Sequence, residues 1–196
     1  MVKYKINEIF YSLQGEGRWV GRPAVFVRFA GCNLRCPFCD TDFHAYEEMG
    51  EIDILEKVQE RGGDCRFIVL TGGEPSLQVD DELVSLLHKW GYYLAMETNG
   101  THKIPSEIDW VTCSPKRMFV DKAEPVIREA QELKVVFDGK HEINDCGIHA
   151  DYYYVQPCDV GDLTKNAEIL KKSIAFVQSH PRWSLSLQQH KVIHIR

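Results

Sequence analysis

Gly31-Cys32-Asn33-Leu34-Arg35-Cys36-Pro37-Phe38-Cys39-Asp40-Thr41 sets three cysteines within eight residues, spaced C-x3-C-x2-C. Thiolates are the preferred ligands of iron–sulfur clusters and of soft metals. This spacing lets one short loop wrap three corners of a cubane cluster. A [4Fe–4S] cluster normally takes four cysteines, so a loop with three leaves one iron open to another ligand. Zinc is a rival, but it favours a second cysteine pair, and no second C-x2-C occurs. The third reading is three packing or free cysteines. Such density in a chain without a secretory signal points instead to metal or catalysis.

Working outward, residues 24–30 (Ala-Val-Phe-Val-Arg-Phe-Ala) form a near-continuous apolar run of strand length, as a buried parallel strand does. Arg28 interrupts it, so its charge is either paired in a buried salt bridge or faces a polar cavity, where its planar fork suits a carboxylate. Upstream, a short strand over 4–10 leads into the glycine-punctuated Gln14-Gly15-Glu16-Gly17. Downstream, a helix over 52–61 stops at Gly62-Gly63, and a strand over 66–70 runs into Thr71-Gly72-Gly73-Glu74-Pro75. Two glycines there let a ligand approach the backbone closely, and a carboxylate can accept from an ammonium group.

Leu83, Leu86, Leu87 and Trp90 fall at i, i+3, i+4 and i+7, which predicts an amphipathic helix over 80–90 with this stripe in the core. Further strands are expected over 92–97, 110–113, 132–137 (interrupted by Lys134), 152–155 and 183–187. Thr98-Asn99-Gly100, Ser114-Pro115-Lys116 and Gln156-Pro157-Cys158-Asp159 follow three of them. Leu163, Ala167, Leu170, Ile174 and Val177 repeat at helical spacing behind Asp162, a candidate N-cap. Alternating strands and helices argue for an α/β fold with a parallel sheet. Every chemistry-bearing segment follows a strand, and active sites of parallel barrels gather at strand C-termini.

The chain of 196 residues is expected to form a single domain, 1–196. A net charge of −6 argues against a nucleic-acid surface without excluding a small anionic substrate. The first residues carry no apolar signal core, and no apolar run approaches the roughly 20 residues that span a bilayer. A cytoplasmic protein is expected, with no membrane and no nucleic-acid partner. The odd count of seven cysteines fits a reducing compartment better than a disulfide framework. Cys65, Cys113, Cys146 and Cys158 lack metal spacing and read as buried or incidental.

C-x3-C-x2-C, with aromatic Phe38 before the third cysteine, resembles the cluster motif of radical S-adenosylmethionine enzymes. Within that superfamily the chain looks like the 7-carboxy-7-deazaguanine synthases. Ser12-Leu13-Gln14-Gly15-Glu16-Gly17, Arg28-Phe29-Ala30-Gly31-Cys32-Asn33-Leu34, Cys39-Asp40-Thr41-Asp42 and Thr71-Gly72-Gly73-Glu74-Pro75 carry the narrower match. The resemblance implies a partial, open (β/α)6-type barrel and a [4Fe–4S] cluster on Cys32, Cys36 and Cys39. It implies S-adenosylmethionine against Phe38, Cys39, Asp40, Gly73, Glu74, Ser114, Pro115, Lys116, Gln156, Pro157, Cys158 and Asp159. The substrate would be 6-carboxy-5,6,7,8-tetrahydropterin, held by Leu13, Gln14, Gly15, Arg28, Thr71 and Arg196, with Mg²⁺ on Thr41. Hydrogen removal from its C6, ring contraction and loss of ammonia would give 7-carboxy-7-deazaguanine, on the route to queuosine and other 7-deazapurines. A flavodoxin or ferredoxin electron donor and a homodimer are implied as well. The rivals are a glycyl-radical-activating enzyme, which needs a protein substrate, and a non-enzymatic iron–sulfur or zinc module.

Overall fold

In the computed structural model residues 3–39, 41–42 and 45–195 are described. Nine strands form one sheet: β1 (Tyr4–Leu13), β2 (Pro23–Phe29), β3 (Glu47–Met49), β4 (Phe67–Gly72), β5 (Tyr93–Thr98), β6 (Trp110–Cys113), β7 (Glu129–Phe137), β8 (His149–Pro157) and β9 (Trp183–Leu185), in the order β3-β1-β2-β4-β5-β6-β7-β8-β9. β1 pairs antiparallel with β2 and β3, while each pairing from β2–β4 to β8–β9 is parallel. The first and last strands in this order do not pair, so the barrel is open among the described residues. The antiparallel edge and β3 were not expected from the sequence. Glu47 and Glu48 are exposed on this three-residue strand, which leaves little apolar period to read.

Helices α1 (Glu51–Gly62), α2 (Asp81–Lys89) and α3 (Leu163–Ser179) cover the outer face, and the short α4 (Gln189–Val192) ends the chain. Each start has a local cause. The Asp53 carboxylate accepts from the Gly50 N–H (2.8 Å), Asp80 from Leu83 N–H (3.0 Å), and Asp162 from Thr164 and Lys165 N–H (both 3.0 Å). Asp80 also accepts from the Tyr4 hydroxyl at 2.8 Å and ties α2 to β1. Strand–helix alternation holds only for the crossovers after β2, β4 and β8. The crossovers β5–β6, β6–β7 and β7–β8 are irregular. Pro105, Pro115 and Pro125 interrupt the first two, and Ile104, Ile108, Ile143 and Ile148 from these loops cover the sheet instead.

Strand period separates two cores. Val25, Val27, Phe29, Ile68, Leu70, Leu94, Met96 and Leu133 point outward beneath the helices. Phe10, Ala24, Phe26, Phe67, Val69, Ala95 and Trp110 point into the barrel. Within α2, Leu83 and Leu87 are fully buried and Leu86 packs against the core, but Trp90 lies past the helix end and is half exposed.

The β1–β2 hairpin loop turns into the barrel rather than away from it. Gln14 N–H donates to Arg22 O (2.8 Å) and Gly21 N–H to Gln14 O (2.7 Å), closing its base. A 3₁₀ turn, Gly17–Trp19, puts the Trp19 ring 5.7 Å from Phe67, 6.2 Å from Tyr93 and 5.0 Å from Trp110. The Arg22 guanidinium stacks 4.2 Å from the Phe67 ring centre and 4.6 Å from that of Trp19. These rings begin β4, β5 and β6, so the turn plugs the N-terminal end of the barrel. Gly17 is required here: its φ is +62°, and a Cβ would lie 2.0 Å from the Glu132 carboxylate.

Candidate active site

The barrel mouth opens into a cavity of about 670 Å³ at the strand C-termini. Cys32, Cys36 and Cys39 all line it, and all three thiols are free of disulfides. Leu34 N–H points at Cys32 Sγ (3.4 Å). Burial pushes the thiols of Cys32 and Cys36 above the ordinary value, and for Cys36 the Lys116 ammonium works in the opposite direction. Phe38 stacks edge-on against Phe119, with ring centres 4.6 Å apart, and so fastens the cysteine loop to the segment after β6. Asn33 donates to the Thr101 hydroxyl (2.8 Å) and accepts from Asn99 (3.1 Å), fastening it to the loop after β5.

The loop after β4 lies directly against the cysteine loop. Gly73 N–H donates to Phe29 O and Glu74 N–H to Gly31 O, both at 2.9 Å. A Cβ on Gly73 would stand 2.0 Å from Gly31 O, so only glycine allows this approach of backbone to backbone. Glu74 borders the cavity, yet its carboxylate is taken up by the protein. Oε1 accepts from Ser76 N–H (3.1 Å), Ser76 Oγ (2.6 Å) and Thr98 Oγ1 (2.6 Å), and Oε2 accepts from Asn99 N–H (2.7 Å). This residue braces the loops after β4 and β5. After β6, Lys116 Nζ donates to the carbonyl and hydroxyl of Ser114 (2.5 and 2.7 Å), and both residues line the cavity. Burial lowers the Lys116 pKa below the ordinary value, with the Cys36 thiolate opposing. Pro115, between them, is buried and is not among the lining residues. Gln156, Pro157, Cys158 and Asp159 border the cavity after β8.

The cavity floor is polar. Leu13, Gln14, Gly15, Arg28 and Thr71 line the cavity, as does Thr41 of the cysteine loop. Arg28 borders the cavity and its Nε pairs with Glu8 Oε1 at 2.8 Å, in an ion pair that is half-buried rather than buried. Thr71 Oγ1 and Gln14 Nε2 both donate to Glu97, at 2.8 and 3.0 Å. Lys134, pointing inward from β7, is buried against the Glu16 carboxylate. Burial alone would lower its pKa, but Glu16, Glu97 and Glu132 hold it above the usual lysine value. Burial likewise opposes ionisation of Glu16, and Lys134 outweighs it, keeping that carboxyl below its ordinary value. Glu132, buried next to them, is pushed up by burial.

The chain's end closes this floor from the other side. Gln188 Nε2 donates to Glu16 Oε1 (3.0 Å), Gln189 N–H to Gly15 O (2.9 Å), and Lys191 pairs with Asp159 (3.2 Å). Glu16, Lys134, Gln188 and His190 line the cavity without having been assigned a role from sequence, and so does Glu97, whose segment the sequence left open between a cofactor pocket and a structural turn. The one signal available was a charge inside a strand run, at Lys134 and at Glu97. Asp40 and Arg196 lie outside the described residues.

Residues 26–110 match the radical SAM superfamily. The 7-carboxy-7-deazaguanine synthase of Bacteroides thetaiotaomicron is 45% identical over 196 residues, covering 98% of each chain. The protein of the same name from Caulobacter vibrioides is 40% identical, covering 97% of this chain and 98% of that one. This chain belongs to the 7-carboxy-7-deazaguanine synthase family. The crystal structure of QueE from Escherichia coli shares its fold, with a TM-score of 0.75 over 96% of this chain and 95% of that one, at 26% identity.

A radical S-adenosylmethionine enzyme of this family uses an iron–sulfur cluster and S-adenosylmethionine, and the residues present fit both. Among the described residues no three His, Cys, Asp or Glu side chains gather around one point as ligands of a single ion. A zinc site requires that convergence. A cubane does not, because each thiol binds a different iron. Three thiols free of disulfides that border one cavity suit the cluster. Gly73, Ser114, Lys116 and the Gln156–Asp159 segment border the same cavity, whose volume admits a nucleoside-sized cofactor. No helix among the described residues is long and apolar enough to cross a membrane.

Proposed function

We propose that the chain converts 6-carboxy-5,6,7,8-tetrahydropterin to 7-carboxy-7-deazaguanine with loss of ammonia, a carbon–nitrogen lyase step towards queuosine and other 7-deazapurines. One observation carries this reading: the three thiols, the strand-end loops and the Gln14–Arg28–Thr71 floor all border a single cavity. When bound, the cluster and S-adenosylmethionine together supply one-electron cleavage and hydrogen abstraction. The protein's part is to hold, orient and exclude water.

Cys32, Cys36 and Cys39 hold the cluster. Phe38, Cys39, Asp40, Gly73, the segment from Ser114 through Pro115 to Lys116, and Gln156, Pro157, Cys158 and Asp159 surround the cofactor. Glu74 serves it by fixing the loops after β4 and β5. Arg28 offers its guanidinium to the substrate carboxylate, and Thr41 would offer a hard oxygen to Mg²⁺, which would supply positive charge to a substrate carboxylate. Leu13, Gln14, Gly15 and Thr71 receive the pterin ring, with Arg196 a further contact. The whole chain, 1–196, works as one cytoplasmic domain in a homodimer, with a flavodoxin or ferredoxin as donor. The exposed Leu163 and Ile174 on α3 form an apolar stripe that a second copy would cover.

The test is anaerobic reconstitution with iron and sulfide, then incubation with S-adenosylmethionine, dithionite, Mg²⁺ and the carboxytetrahydropterin, read by mass spectrometry. The expected product is 7-carboxy-7-deazaguanine. Cleavage of S-adenosylmethionine without that product would retain the superfamily chemistry and discard the substrate.

A further inference from the structure

Residues 16–18 are held by side chains rather than by a backbone ladder. Gly17 N–H donates to Ser186 Oγ and Arg18 N–H to Glu132 Oε2, each at 3.0 Å. Glu16 is bound by Lys134 and by Gln188. Of these partners, Lys134 and Glu132 belong to a central strand with neighbours on both sides, whereas Ser186 and Gln188 belong to the chain's own final segment. An ammonium this buried requires a carboxylate partner, since an unpaired charge away from water is strongly unfavourable. Glu16 meets that requirement, and Gln188 shares the same carboxylate. A neighbouring bond, Gln189 N–H to Gly15 O, then fixes the final segment to the loop.

We propose that Lys134 is a positioning residue. Through Glu16 it anchors the substrate-floor loop and the C-terminal segment to β7, and thereby sets where Gln14 and Gly15 meet the substrate. This rests on the pterin reading above. Lys134 itself need not touch the substrate. Without its charge, Glu16, Glu97 and Glu132 lose the ammonium that acts on all three, and both segments lose their common anchor.

The test compares K134M, which keeps the length of the side chain without its charge, with K134R and the wild type. In K134M the KM for the pterin rises about tenfold, while kcat changes by less than about threefold and bound iron and the KM for S-adenosylmethionine stay as in wild type. Hydrogen exchange on the substrate-free protein shows the amides of residues 14–22 and 186–192 exchanging about tenfold faster, with those of β4 and β5 unchanged. K134R restores most of both effects. Wild-type exchange in the two segments of K134M overturns the proposal, as does a loss of kcat with KM and exchange unchanged. Should K134M fail to fold, E16Q decides: the same two segments loosen, or the proposal falls. If the wild type makes no deazaguanine, the pterin reading fails by itself, and the exchange data still decide whether Lys134 anchors the two segments.

Discussion

Glu74 occupies a loop position whose sequence suggests a ligand contact, yet it acts as a brace. Its four hydrogen bonds join two loops, and two of them satisfy the buried Thr98 hydroxyl and Asn99 N–H. Glu74→Ala is expected to destabilise the protein by about 3–5 kcal/mol in urea titrations, because several donors, two of them buried, lose their acceptor together. Gly73→Ala is expected to abolish tight S-adenosylmethionine binding in equilibrium dialysis. Its methyl would meet the Gly31 carbonyl, and backbone cannot step aside as a side chain tip can. The Glu16–Lys134 pair gives a pH dependence with two limbs. The Glu16 pKa is lowered from its ordinary 4.5, so its stabilisation is complete above that value and lost as pH falls below it. The Lys134 pKa is raised from 10.5, so its stabilisation is complete below that value and lost as pH climbs past it. Urea titrations of E16Q against pH should show a shallower acid limb than wild type. An unchanged limb would mean that other carboxylates dominate it. Arg28 stood out in sequence because its charge interrupts an apolar run, whereas Thr71 was singled out only through the family resemblance of its loop. Glu16 did not stand out, because a charge in a glycine-rich loop looks solvated until the loop's direction is known.

At the level of elements, the hairpin loop between β1 and β2 does two jobs with one turn. Trp19 and Arg22 seal the lower end against the first residues of β4, β5 and β6, and Gln14, Gly15 and Glu16 form the cavity floor above. Trp19→Ala should cost about 3–5 kcal/mol, measured by chemical denaturation, since it empties the space among three aromatic rings. Helix α3 shows the limit of periodicity. Its sequence places Leu163, Ala167 and Ile174 on one stripe, but Leu163 is 89% exposed and Ile174 39%, while Ile169 and Ser173 are buried against the barrel. Ile169→Ala should therefore cost about 2–5 kcal/mol. Leu163→Gln with Ile174→Gln should change folding stability by about 0.5 kcal/mol or less each in a monomer. Any larger effect that appears together with later elution on gel filtration would identify the stripe as the contact between copies.

Across the whole molecule, cluster loop and core are nearly separate. Leu34 is the loop's buried apolar residue between Cys32 and Cys39, and the outer core draws on strands, helices and crossover loops. Replacing Cys32, Cys36 and Cys39 together by alanine should remove all iron and all turnover while leaving the far-ultraviolet circular dichroism of the metal-free protein unchanged. Each substitution should alter metal-free stability by about 1 kcal/mol or less. A collapsed spectrum would mean that the loop carries folding energy the packing does not indicate. The packing of the barrel makes this separation possible: the sheet curves around its own hairpin, whose Trp19 packs on the first residues of β4, β5 and β6.

What the sequence determined by itself was local. Cysteine spacing within eight residues defines a cluster loop whatever surrounds it, and apolar runs ending in glycine or proline mark strands that deliver loops to one rim. Asp80 and Asp162 cap helices through N–H groups two or three residues away, a distance any reading of sequence can span. The contents of the barrel were decided only by the tertiary structure. Lys134 meets Glu16 across 118 positions and Gln188 meets Glu16 across 172. These contacts exist because the pleat turns alternate residues of β4 to β8 inward and because the hairpin enters the lumen. No short-range pattern encodes the direction of that loop. It is set by which end of the barrel offers aromatic rings to Trp19, a property of three strands packed together.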